Sequence, residues 1–248
     1  MDLTIADIWQ WILQSHDEPA WWAILGSALL ALVAIGQSTL WRYVRNLITI
    51  AHEGGHALVG VLTGRRLSGI RLESDTSGLT ITRGRPNGPG AVLTLAAGYT
   101  APALLGLGAA ALLAGGRTVL LLWITFALLV AMLLFIRNLY GLLALLIVGT
   151  GVFVASWYGS AEVQTTAAYL GTWILLWGSV RPVFELRHSR KGKAGVQSDA
   201  DQLAGISAVP AGGWILVFGL VTLASAAGGT WMLLPETVTE TIGNAFAD

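Results

Sequence analysis

Five consecutive residues, His52-Glu53-Gly54-Gly55-His56, carry the most direct chemistry in the sequence. On a helix, positions four apart lie one turn above each other, so both imidazoles can point at one ion. Glu53 sits about 100° round from His52, near enough to touch a water at that ion without being a ligand. A divalent zinc lowers the pKa of such a water to about 7, and a carboxylate can take its proton during attack on a carbonyl. With four His and seven Glu in 248 residues, chance yields H-E-x-x-H roughly 0.002 times per chain. The alternative use of this triplet is polar contact between packed helices, which does not ask for this spacing.

A catalytic zinc site needs a third protein ligand and an open position for water. Two other histidines exist: His16 lies in an acidic N-terminal stretch, and His188 lies among Arg and Lys, where a solvated basic loop is the simpler account. The acidic candidates are Asp75, Glu185, Asp199 and Asp201. Asp75 falls at an expected turn, where Asp is favoured by turn chemistry alone. Asp199 and Asp201 precede an apolar segment, where either could cap a helix. Spacing alone does not choose between capping and ligation.

The elements that must position these residues are set by composition. The chain is 54% hydrophobic and 11% charged, with mean hydropathy +0.68. Soluble domains carry about a quarter charged residues, so a soluble enzyme, a disordered chain and a nucleic-acid binder are all disfavoured. Lys+Arg and Asp+Glu are 14 each, so no net charge draws in a polyanion, and there is no Cys for a disulfide or a thiolate ligand. Eleven Trp suit the belts at membrane interfaces. The sequence reads as an all-α polytopic membrane protein forming one domain over residues 1–248.

Seven apolar runs, near 20–40, 41–64, 90–115, 118–136, 139–157, 163–183 and 210–234, approach the length a bilayer requires. The second contains the H-E-x-x-H motif, and Glu53 is the only acid well inside any run. The first 19 residues hold Asp2, Asp7, Asp17 and Glu18 without Lys or Arg, unlike a signal peptide, and are expected to be retained. Within them Ile5–Leu13 is expected to form an interfacial amphipathic helix. Residues 70–82 alternate, turn at Ser74–Gly78 and alternate again, as a β-hairpin does. Gly84–Gly90 follows without a βαβ context, so a phosphate loop is not indicated there, and Gly60–Gly64 fits helix packing.

With seven alternating spans and the N-terminus inside, eleven basic residues fall on the cytoplasmic side, and only Arg42, Arg45 and Arg117 fall outside. Across the first span alone, Arg42 and Arg45 would prefer the inside. That topology puts the N-terminus, the hairpin and the active-site side in the cytoplasm.

The residues resemble the site-2 proteases, zinc metalloproteases that cut within membranes, and especially their short bacterial and plant B-type members. The matching pieces are His52–Ala57, Leu62-Thr-Gly64, Ser77-Gly-Leu-Thr80, Ala97-Gly-Tyr99, Arg137-Asn138, Ser198–Ala204, Val209-Pro210 and Trp214. The resemblance implies His52 and His56 as zinc ligands, Glu53 as catalytic base and an Asp of the Ser198–Ala204 motif as third ligand, with Asp199 favoured over Asp201. The chain departs from better-known members in lacking an Asp-Gly pair at that ligand. Asn138 is a candidate to orient a substrate carbonyl or the water, with helix contact as its alternative.

The expected activity is therefore regulated intramembrane proteolysis of a transmembrane protein substrate, in a bacterial cell membrane and with Zn2+ as cofactor. A substrate helix must unwind before its carbonyls can react. The hairpin edge at Leu79, Thr80, Ile81 and Thr82 could hold the extended segment by strand addition, or the hairpin could simply close that end of the molecule. The rivals are a catalytically silent membrane scaffold and a metal transporter; the second would line a path with ionisable residues on several spans.

Overall fold

A computed structural model describes residues 4–15, 19–189 and 198–234. The order is α1 (Ile5–Leu13), α2 (Trp21–Gly36), α3 (Ser38–Leu62), β1 (Arg66–Leu72), β2 (Gly78–Arg83), α4 (Pro89–Ala114), α5 (Thr118–Leu133), α6 (Leu139–Tyr158), α7 (Ala161–Gly178), α8 (Val180–Ser189), α9 (Asp199–Ile206) and α10 (Ala211–Leu233). Helices with a small hairpin after the H-E-x-x-H helix are the architecture expected from the sequence.

The span count differs from seven. Among the described residues α4, α6 and α10 are long and apolar enough to cross a membrane, while α5 is apolar but shorter. The runs 20–40 and 41–64 form α2 and α3, which meet at a bend of 104°, as in a broken span or a re-entrant loop. Gln37 makes the break. Its extended backbone ends α2 with its N–H on the Val33 carbonyl, and its side chain accepts from Leu40 N at 2.6 Å to start α3.

The described helices set α1 and the hairpin at opposite ends of α5, where the sequence reading put the N-terminus and the site on one side. Helix α1, begun by a Thr4–Asp7 capping box, lies at the start of α5: the Arg117 guanidinium donates to the Leu13 carbonyl, and the Trp11 and Trp157 rings are 6.0 Å apart. The hairpin lies at the other end of α5, where Ile70 N donates to Phe135 O at 2.8 Å and Arg137 N to Ile70 O at 2.9 Å. The 16 residues of α5 separate the two by about 24 Å. Arg45 and Arg181, assigned to opposite sides by the seven-span count, both pair with Glu185, at 3.1 and 3.0 Å. A hydropathy pattern measures the length of a run and not its direction, so it does not tell a bent pair of helices from two crossings.

The hairpin is antiparallel, with a register shift between Leu67 and Gly69. Its turn puts Thr76 at φ 69°, a left-handed conformation costly for a branched residue. Thr49 Oγ1 of α3 donates to the Thr76 carbonyl at 2.8 Å and anchors that turn. Ile70 and Leu72 are buried with Ile50, Ala57, Leu129 and Leu145, so the hairpin shares a core with α3, α5 and α6. A second core joins α8, α9 and α10 through Val183, Leu203 and Phe218. The site lies between these two cores.

Candidate metal centre

Helices α3 and α4 approach closely because their facing residues are small. A Cβ on Gly55 would lie 2.9 Å from the Ala97 carbonyl oxygen. Beside that contact His52 and His56 project from successive turns of α3, with Nε2 atoms 3.1 Å apart. His56 Nδ1 is 2.7 Å from the Thr94 carbonyl. A carbonyl only accepts, so Nδ1 carries the proton and Nε2 presents a lone pair. Gly98 of α4 cradles the pair: a Cβ there would overlap His56 Nε2 and lie 2.7 Å from His52 Nε2. The Tyr99 ring meets His52 edge-on at 4.9 Å and stacks on Phe218 of α10 at 5.0 Å.

The third member comes from α9. Asp199 Oδ2 lies 3.2 Å from the Nε2 of each histidine. It is buried and makes no hydrogen bond. Asp201 has a structural role instead. Its carboxylate accepts from Ser198 N at 3.1 Å and Ser198 Oγ at 2.6 Å, forming the capping box that starts α9. One motif therefore places a capping carboxylate at Asp201 and, at Asp199, a carboxylate that could hold a metal.

Glu53 is 3% exposed, and its carboxylate meets the hairpin. Thr80 Oγ1 donates to Glu53 Oε2 at 2.6 Å and lies 3.1 Å from the Glu53 carbonyl. A Cβ on Gly78 would meet Glu53 Oε1 at 2.5 Å, so only glycine lets β2 lie this close. Thr82 also faces inward, accepting from Arg65 Nε at 3.1 Å, whereas Leu79 and Ile81 are 55% and 43% exposed. Among the described residues nothing pairs with the outer edge of β2. The edge of β1 is occupied by residues 135–138, and Asn138 completes that ladder. Its Nδ2 donates to Leu72 O at 2.6 Å and its Oδ1 accepts from Leu72 N at 3.2 Å.

The other candidates lie elsewhere. Asp75 accepts from Ser77 Oγ at 2.6 Å and Ser77 N at 2.9 Å, and these bonds hold its carboxyl below the ordinary Asp range. Glu185 is held by Arg45 and Arg181, His188 is exposed near the end of α8, and His16 lies outside the described residues. Sequence reasoning missed Thr94, which contributes a backbone carbonyl, and Thr49, whose hydroxyl only matters once the hairpin is docked. Neither has a sequence signature.

The Peptidase M50B-like family matches residues 25–229. The chain belongs to the site-2 protease family. Neither a curated protein nor a solved structure matches it. Site-2 proteases are membrane-embedded metalloproteases, and His52, His56 and Asp199 of this one form a group that could hold a metal ion, with ligand atoms all within 4.8 Å of one another. The fit can be tested on distances. A tetrahedral ion with bonds of about 2.0–2.1 Å keeps its ligand atoms about 3.3 Å apart, and the three separations here are 3.1, 3.2 and 3.2 Å. A buried carboxylate oxygen without a hydrogen bond, aimed at two imidazole nitrogens, is also what a cation would satisfy.

Proposed function

We propose that this site-2 protease is an intramembrane zinc endopeptidase that hydrolyses peptide bonds of membrane-anchored proteins. The observation that carries it is the triangle of His52 Nε2, His56 Nε2 and Asp199 Oδ2 beside a buried glutamate on the same helix. Zinc held by these three would act as a Lewis acid toward water and a peptide carbonyl. Glu53 takes the proton of the attacking water and later passes it to the nitrogen of the leaving amine. Thr80 fixes one carboxylate oxygen of Glu53, so the other is the one free to receive the proton. The unpaired edge of β2 holds the substrate segment extended through backbone hydrogen bonds. Leu79 and Ile81 then flank its side chains. Thr80 and Thr82 face α3, and Asn138 serves by sealing the edge of β1.

Glu53→Gln is expected to retain zinc and to lower cleavage of a co-expressed membrane substrate by about 10³-fold. Undiminished cleavage would overturn the proposal, and a silent scaffold would be indifferent to the change.

The same contacts support a topology. Arg65, Arg66, Arg71, Arg83, Arg85 and Arg137 gather at the hairpin end, and Arg117 lies with α1 at the other. The positive-inside rule puts the hairpin and the site toward the cytoplasm and α1 outside, in keeping with an N-terminal stretch that has no basic residue. A cysteine introduced at Gln10 should react with an impermeant thiol reagent added to intact cells, and one at Ser74 should not. The reverse labelling would refute this orientation.

A further inference from the structure

The hairpin has a second face, turned away from α3. Cross-strand partners share a face of a sheet, so the pairs Arg66↔Arg83 and Arg71↔Leu79 belong to it together with Ile81. Arg137 joins them: a side-chain carbon on Gly69, the partner of Ile81, would lie 2.6 Å from Arg137 Cγ. Like charges directly opposite each other destabilise a ladder, yet Arg66 and Arg83 occupy that position. Among the described residues neither has a carboxylate partner, and neither do Arg65, Arg85 or Arg137; Arg71 has only Glu73 at 3.6 Å. Arg65 instead directs Nη1 to the Arg85 carbonyl at 2.7 Å, which holds the base of the hairpin together without neutralising it.

The neighbours of this face are exposed and apolar. Leu79 and Ile81 lie on it, Leu62 ends α3 immediately before it, and Leu134 and Leu139 flank Arg137, all five exposed. Guanidiniums interleaved with exposed leucines, where membrane helices end, match the boundary between acyl chains and headgroups. An anion missing from the protein itself is supplied there by lipid phosphate. The geometry points to this face of the hairpin as a docking surface for anionic phospholipid headgroups, separate from the β2 edge that takes the substrate. Bound lipid offsets the Arg66–Arg83 repulsion and holds the hairpin at the bilayer surface with its edge open along the membrane plane.

The test needs no catalysis, so full-length Glu53→Gln protein in detergent is suitable, and failure would leave the protease proposal untouched. Native mass spectrometry would compare phosphatidylglycerol with phosphatidylcholine. Phosphatidylglycerol should be retained preferentially. Arg66→Gln with Arg83→Gln should weaken that retention about thirtyfold, from about 1 kcal/mol per arginine near a lipid surface. Arg66→Lys with Arg83→Lys should preserve it. Equal retention of the two lipids would overturn the inference, as would phosphatidylglycerol binding unchanged in the Gln pair or lost in the Lys pair. Displacement by millimolar inorganic phosphate would make this a free-anion site, and displacement by an acidic peptide a protein-binding one; either also overturns it.

Discussion

Two carboxylate sites lie within the helical bundle, and they are settled in opposite ways. Around Glu185 the charges close on themselves: Oε1 accepts from Trp41 Nε1 at 3.2 Å and Arg181 Nε at 3.0 Å, and Oε2 lies 3.1 Å from Arg45. The Arg181 guanidinium also sits 4.7 Å from the Trp41 ring centroid. Around Glu53 and Asp199 no guanidinium or ammonium of the described residues forms an ion pair. Glu53 has one hydroxyl donor, and Asp199 faces two imidazoles, one of which keeps its proton on the far nitrogen. The first site locks α3 to α8 at the bend that follows α2. The second leaves valences unfilled, as a site that must accept an ion and a proton does. Glu185 Oε2 and Asp199 Oδ2 alike make no hydrogen bond, so the partner's chemistry, guanidinium at one and imidazole at the other, separates the structural cluster from the reactive one.

That contrast can be broken most sharply at α9. Asp199→Ala is expected to reduce zinc from about one ion per purified chain to near none, with cleavage lost. Asp201→Ala should keep zinc and lower stability by at least the cap's contribution, about 1 kcal/mol. Metal analysis giving the opposite pattern would reverse their roles. A smaller effect is expected at Thr80. Thr80→Val should lower kcat about tenfold at roughly constant KM and unchanged zinc, and Thr80→Ser should restore it, because only the hydroxyl orients Glu53. A change confined to KM, or no rescue by serine, would make Thr80 a substrate contact or a packing residue. The least effect on chemistry is expected at the closed site. Glu185→Gln should lower thermal stability by about 1 kcal/mol, since the cluster is partly solvated, and leave cleavage within about threefold. A large loss of zinc there would mean that the two sites are coupled.

The chemistry was more legible in the sequence than the path of the chain. The H-E-x-x-H spacing marked a helix and two histidines on one face of it, and alternation over residues 70–82 marked the hairpin and the inward set that contains Thr80. Ser198-x-x-Asp201 is a capping signature, which by elimination frees Asp199, although that inference needs a fold that brings α9 to α3. The junction between α2 and α3 was legible, because Gly36-Gln37-Ser38-Thr39 interrupts the apolar sequence and two runs meet there. The angle of the bend was not, because it depends on tertiary contacts such as those of α2 with α7. Asn138 entered as a candidate through the resemblance, and its two bonds to Leu72 appear only when β1 lies alongside.

Those two bonds limit the valency of the hairpin. A two-stranded ribbon has two templating edges and can link one extended chain to another on either side. Here a side-chain amide imitates the peptide group that would have continued the 135–137 strand, so β1 has nothing left to offer. With one edge left among the described residues, the ribbon is monovalent and cannot pass pairing on to a second copy of itself. For a chain with an unpaired strand edge, this is protection against polymerising.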